Sequence, residues 1–545
     1  MKNFSAQTRS KNIQKLQNEE FDLLIIGGGI TGAGVARDAA QRGMRVALVE
    51  ANDFAYGTSS RSSKLVHGGI RYLENMEFKL VFEALTERAK LFALAPHLTH
   101  PLRFVIPLYE NSRVGMFKMG LGMILYDVLA LFNAPEMHER LNAHATMDRY
   151  PIVNSKDLIG SYVYSDGYMD DDRLVHETLR SANEYGAVCV NYAQVASAHK
   201  INGKIDSLNV TDLKTNQKFT IKAKHVVSTV GPWTDLVGEK LVQDWKKILR
   251  PTKGIHLTFL KEKLNLESAV VMAAEKSERI VFAIPRHEMV IIGTTDTDFK
   301  DHPENVSVTP EDVEYLLKIT NQYFPGANLT VKDIVSSYAG VRPLVQDDSS
   351  SEGKTSREHT IMHDPSGITF VAGGKYTTYR LMSEDIVDQA LKFFSYEKRV
   401  SLKRCETTQA LNEFTTEEKY AEALSETKNA EDSIQQKLAI RHGMEYKNIL
   451  AAYYAKYTTY WQFEAAHAIQ TTMCLSIKDF YCRRVPLFLS QKDHGVSLLN
   501  EIAEVFQREY TLPTVEIEKQ KNELYDYIKK ELSWMTSFNL DPLKS

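Results

Sequence analysis

The chain has 545 residues and a mass of 61.9 kDa, 43% of them apolar and 25% charged. It is therefore neither disordered nor fibrous, and at roughly 150 residues per domain it makes three or four domains, or two large ones. Its 66 basic and 70 acidic residues leave a formal net charge of −4, so nothing draws it globally to nucleic acid or an anionic surface, and an anionic ligand has to be held locally.

The first twenty residues (1–20) form a polar segment of mixed charge, without the apolar core of a signal peptide. Residues 21–50 then read as strand, glycine turn, helix and strand: FDLLIIGGG, ITGAGVARDAAQRG, MRVALVE. Gly27, Gly29 and Gly32 form GxGxxG directly after an apolar strand, and Glu50 closes the next strand. The first glycine permits the tight turn, the second a close backbone approach to a pyrophosphate, and the third close packing of helix on sheet. The helix N-terminus then faces phosphates, and Glu50 accepts from a ribose, which makes this a dinucleotide site without separating FAD from NAD.

A glycine- and serine-rich loop follows at 56–69, leading to a helix in which Phe78, Val81, Phe82, Leu85 and Ala89 recur at helical spacing. The stretch 102–133 combines a short strand, FVIPLY, with an apolar helix. The best candidate for a spanning helix, 119–132, contains Asp127 and follows Lys118, so nothing spans a bilayer. The wider stretch 114–132 reads as a buried helix, with docking in a membrane interface as the alternative. Asp170, Asp171 and Asp172 read as cap and first-turn acids of the next helix. Asn202-Gly203 is a turn signal, and 254–295 holds short strands in an antiparallel sheet. After a helix near 310–323, the strand GITFVAGG opens onto the helix TTYRLMSEDIVDQALKFF. Its two glycines and helix start present backbone donors and a positive dipole end. Beyond about residue 400 glycine is scarce and helix formers dominate.

His97 and His100 make an HxxH without a third ligand and read as a helix end beside Pro96 and Pro101. Four cysteines without a CxxC pair make neither a disulfide framework nor a zinc site. No metal is expected, and this cysteine usage suits a reducing cytoplasm.

Five blocks carry a resemblance: TSSRSSKLVHGGIRY at 58–72, RPTKGIH at 250–256, GTTD at 293–296, GVRPL at 340–344 and GGKYTTYR at 373–380. In this order they closely resemble the FAD-dependent glycerol-3-phosphate dehydrogenases, and DFYCRR at 479–484 is similar to that family's helical part more loosely. The resemblance implies a mixed α/β fold like that of D-amino-acid oxidase. A Rossmann-like FAD-binding domain over 21–400 is interleaved with an antiparallel-sheet substrate domain, at about 80–155 and 250–340, and an all-helical domain follows at 401–545. It also implies oxidation of sn-glycerol 3-phosphate to dihydroxyacetone phosphate by hydride transfer from C2 to FAD N5, with electrons passed to membrane quinone. The protein would then sit in the cytoplasm against the inner face of the cell membrane; its oligomeric state is left open, a homodimer being one arrangement.

On this reading the flavin is held by Gly27, Gly29, Gly32, Glu50, Thr58, Ser59, Ser60, Ser62, Ser63, Leu65, His67, Gly68, Gly69, Gly231, Gly374, Lys375, Thr377 and Thr378. The substrate is held by Arg71, Arg342, Arg357, Lys375 and Tyr376, since guanidinium suits the phosphate dianion. His67 and His256 are the candidate bases, with Arg342 and Lys375 stabilising the alkoxide as the other option. Trp233 reads as packing near the cofactor, and Asp296 and Asp298 receive no role. The alternatives are a glycerophosphate oxidase using oxygen, an amine or amino-acid oxidase of the same fold, an NAD dehydrogenase, and a non-catalytic dinucleotide sensor.

Overall fold

The glycine turn sits at the carboxyl end of a parallel sheet because the strand before it, Glu20–Ile26, is buried on both faces and can be covered only by crossover helices. This computed structural model describes residues 4–273, 279–346, 359–430 and 433–543. Glu20–Ile26 pairs in parallel with Val46–Val49 on one side and Lys218–Ser228 on the other; Val188–Val190 and Ile368–Gly373 extend the sheet outward. Helices Ile30–Gln41, Asp171–Glu184 and Tyr379–Leu391 pack together on one face around Ala33, Ala36, Leu179 and Ile386. On the other face, helix Ala6–Asn18 buries Ile13 and Leu16, so the polar N-terminal segment is part of the fold. The Asn202-Gly203 turn does make a hairpin, Ala193–Ile201 with Lys204–Asp212, and both turn residues have positive φ.

A second sheet of ten strands takes Leu65–Val66, Thr99–Tyr109, Leu158–Met169, Thr252–Leu260 and Ile334–Arg342 among its members. It is antiparallel except where Ala269–Ala273 runs parallel to Thr99–Tyr109. The C-terminal stretch is helical from Glu417–Thr427 to Thr514–Glu531, and its apolar core is continuous with that of the second sheet: Phe259 and Ile334 belong to one cluster with Phe463 and Phe480.

One expectation is corrected and another, the cap and first-turn acids Asp170, Asp171 and Asp172, holds in position but with other bonds. Helix Met116–Leu129 is not buried: Phe117 is 81% exposed, Leu121 and Ile124 each 54%; Met123, Tyr126 and Asp127 are buried, and Met116, Met119 and Leu129 are partly covered. The helix is apolar around most of its circumference, so periodicity could not tell which side the sheet covers. Asp170, the N-cap of Asp171–Glu184, makes no capping bond. It pairs instead with Arg173 and Arg286, while Asp171 takes Lys64 and the Ser62 hydroxyl.

Burial drives the His100 and His225 imidazoles down to about 4. The unfolded chain, with histidine near 6.5, binds these protons first as pH falls, so stability is flat above about pH 6.5 and declines between there and about 4. Denaturant midpoints measured across that range check this, and His225→Gln should flatten part of the slope.

Candidate active site

A cavity of about 750 Å³ runs between the two sheets. At one end helix Ile30–Gln41 meets the strand with almost no separation: a Cβ on Gly32 would stand 2.0 Å from the Gly27 carbonyl oxygen and 2.7 Å from Thr229 Oγ1. The helix N-terminus is thereby fixed beside the cavity. Glu50 lines it too, its two carboxylate oxygens accepting from the backbone of Gly28 (2.7 Å) and Asn52 (2.8 Å). Burial raises the Glu50 carboxyl, opposed by those two N–H groups. Each oxygen keeps a lone pair for a ribose hydroxyl.

The loop at 56–67 forms one wall. Ser59 Oγ accepts from Ile30 N–H at 3.0 Å and so caps the glycine helix, a structural task beyond the expected flavin contact. Thr58 Oγ1 donates to the Val341 carbonyl at 2.6 Å, and Ser62 Oγ to Asp171 at 2.6 Å, which turns Ser62 toward the Lys64–Asp171 ion pair. Ser63 Oγ lies 2.9 Å from His256 Nε2.

At the other end the strand Ile368–Gly373 breaks at Gly373 and Gly374, with φ of +75° and +91°. A turn at Tyr376–Thr378 then opens helix Tyr379–Leu391. Thr377 Oγ1 accepts from His67 N–H at 3.2 Å and lies 3.3 Å from the His67 carbonyl, so the two blocks are locked together although 310 residues apart. Lys375 Nζ stands 3.5 Å from the centre of the Tyr72 ring, a cation–π contact at the cavity wall. The Tyr376 hydroxyl donates to the Asp171 carbonyl.

Arg342 lines the same cavity, oriented by Asp296 (2.7 Å), Thr294 Oγ1 (2.9 Å) and the Thr295 carbonyl (3.2 Å). Asp296, to which sequence assigned nothing, is thus the carboxylate that orients this arginine. His256 stacks on Tyr338 at 4.7 Å, and burial, with the charges of Arg342 and Lys64, pushes its imidazole well below the ordinary histidine range.

Of the expected residues, Gly27, Gly29, Glu50, Thr58, Ser59, Ser62, Ser63, Leu65, His67, Gly231, His256, Arg342, Gly374, Lys375, Tyr376 and Thr377 all line this one cavity, as does Trp233. Gly32 lies beneath it; Ser60, Gly68, Gly69, Arg71 and Thr378 belong to its supporting turns and do not line it. Arg357 falls outside the described residues. Sequence reasoning missed Tyr72, though it follows Arg71 in a matched block, and it missed Arg61, Gln194 and Leu236 at the cavity wall.

Residues 22–380 match the model of the family described as FAD dependent oxidoreductase. An aerobic glycerol-3-phosphate dehydrogenase of Staphylococcus aureus (strain MRSA252) is 40% identical over 401 residues, 73% of this chain and 72% of that protein. The chain belongs to the FAD-dependent glycerol-3-phosphate dehydrogenase family. A glycerol-3-phosphate dehydrogenase from Bacillus halodurans, solved with FAD, superimposes with a TM-score of 0.80 at 30% identity over 99% of both chains. A glycine oxidase from Geobacillus kaustophilus, at 19% identity and a TM-score of 0.55 over 70% of this chain, shares the fold.

The cavity fits the family's cofactor. Its volume lies within the range of about 300–1,000 Å³ usual for such pockets, its glycine end has a cradle that a Cβ would fill, and its far end has the two-glycine helix start. Gly32→Ala is expected to push the helix off the strand, so that the purified protein carries little or no flavin absorbance while a fully yellow sample would contradict this account.

Proposed function

We propose that the chain oxidises sn-glycerol 3-phosphate to dihydroxyacetone phosphate and passes the electrons to a quinone in the membrane. The observation that carries this reading is the meeting of His67, Lys375 and Arg342, from blocks far apart in sequence, at one cavity, in a chain similar over most of its length to glycerol-3-phosphate dehydrogenases. When bound, FAD supplies the hydride acceptor, N5, for the hydrogen on substrate C2. Gly27, Gly29 and Glu50 would hold its nucleotide half, and the Gly374–Thr377 turn its ring.

The protein's own tasks are to hold a dianion and move one proton. Arg342, kept in one pose by Asp296 and Thr294, and Lys375 supply positive charge at the cavity. Guanidinium and ammonium groups in a site shielded from water stabilise both the phosphate and the developing alkoxide. The C2 hydroxyl proton goes to His67 in this scheme. His256 is the poorer base, because its lowered pKa makes it a weak proton acceptor and Ser63 already occupies its Nε2. His67 is braced through its backbone by Thr377, two residues beyond Lys375.

The exposed apolar face of helix Met116–Leu129, continued by Leu131 (69% exposed) and Phe132 (65%), supports the membrane acceptor. Among the described residues no helix is long and apolar enough to cross a membrane. A helix of this kind lies in the interface, where a lipid-dissolved acceptor is met. The reading puts the protein on the cytoplasmic face of the cell membrane.

Anaerobic mixing with sn-glycerol 3-phosphate should bleach the flavin band, and mixing with glycine should not; a band that persists with the phosphate substrate overturns the assignment. His67→Gln is expected to retain flavin and lower kcat by about 10²–10⁴-fold, with a loss below tenfold arguing for another base. Replacing Phe117, Leu121 and Ile124 together by serine should abolish co-sedimentation with lipid vesicles while substrate still bleaches the flavin. Undiminished sedimentation would sink the docking face.

A further inference from the structure

The wall segment from Asp53 to Arg61 has almost no secondary structure of its own, only the single turn Thr58–Ser60. Its first half is packed, with Phe54 and Ala55 fully buried and Phe54 stacked on Phe4, but from Tyr56 onward it borders open space on its outer side. A second cavity, of about 350 Å³, lies between this segment and helix Thr514–Glu531, and Tyr56, Gly57, Thr58 and Arg61 line both cavities. The stretch 56–61, with space on either face, is poorly located by apolar contact, which needs close-packed neighbours on both sides. Something else has to fix it.

What fixes it comes largely from the C-terminal helices. At one end Asp53, fully buried, accepts from Arg483 Nε at 2.7 Å and from Arg484 Nη1 and Nη2 at 2.8 and 3.0 Å. At the other end Arg61 makes a two-pronged pair with Glu531, at 2.8 and 3.3 Å, and donates to the Ala339 carbonyl at 2.9 Å. Glu531 is only 7% exposed and is itself tied down, its carbonyl accepting from Ser337 Oγ, which in turn accepts from Trp534 Nε1. Between the two ends lies Ser59, the cap of the glycine helix. A shift of this strip would therefore reach the phosphate-facing helix terminus directly.

We infer that the C-terminal helices serve to retain the cofactor, with Glu531 a positioning residue that, through Arg61, holds the Asp53–Arg61 wall against bound FAD. Glu531 is buried and the Arg61 side chain only 15% exposed, so removing one partner leaves the other charge largely uncompensated. The part of the wall that moves first is the stretch 56–61, which has a cavity on either side.

The test uses the FAD-loaded full-length protein and follows dissociation by the fluorescence of released flavin after dilution. Glu531→Gln keeps the size and one acceptor but loses the charge. It is expected to speed FAD release by about tenfold or more and to change the visible circular dichroism of the flavin that remains bound. Glu531→Asp should recover part of the slow release. Ile502→Val, in the core of the C-terminal helices, is the control: it lowers the denaturant midpoint by deleting a buried methyl group but should leave release unchanged. Release from Glu531→Gln within twofold of the parent overturns the inference. So does release that rises in Ile502→Val as much as in Glu531→Gln, since the pair would then act only through overall stability.

Discussion

Everything at this site depends on the absence of a side chain at Gly32. The 2.0 Å that would separate a Cβ there from the Gly27 carbonyl oxygen means that helix and strand touch backbone to backbone. That contact sets the helix N-terminus at the mouth of the cavity. Glu50, Ser59 and Thr229 are arranged around the same point: Glu50 accepts from Gly28, Ser59 accepts from the first turn of the helix, and Thr229 donates to the carbonyls of Ile26 and Gly27. Anion binding here comes from backbone donors and a dipole, so a chain of near-neutral charge can hold a pyrophosphate.

The far end of the cavity, the proposed reacting end, is built differently. No single element carries it; His67 comes from a loop, Lys375 from a turn, Arg342 and His256 from neighbouring strands of the second sheet. Such pieces stay in register only if they are tied to one another. The ties are polar and buried or partly buried: Thr377 to His67, Asp296 to Arg342, Ser63 to His256, Lys64 to Asp171, Gly68 to Asp166. In a shielded interior each bond left unmade costs more than it would in water, so the set is satisfied together or fails together.

This division explains what could be read from the chain. The strand–glycine–helix–strand unit was legible because apolar runs, glycine spacing and the terminal acid are local features. Gly373-Gly374 at a strand end announced the second helix start for the same reason. The family blocks named residues that line the cavity, but not what those residues do for one another. Ser59 looked like a cofactor donor and also caps a helix; Asp171 looked like a first-turn acid and also neutralises Lys64; Asp296 had no visible purpose until the sheet brought it beside Arg342. Tyr72 and the outward face of Met116–Leu129 escaped for a related reason, since which side of an apolar segment is covered is decided by tertiary packing and not by its own period.

The central claim is that one cavity holds the flavin and the phosphate substrate side by side. A crystal structure of the protein with FAD and dihydroxyacetone phosphate tests it most directly. The account predicts that the dinucleotide runs from Glu50 to the Gly374–Lys375 turn and that the product lies within hydrogen-bonding reach of Lys375 and His67, its phosphate toward Arg342. A flavin bound in that way with the product outside the cavity, or with its phosphate remote from Arg342 and Lys375, would contradict it.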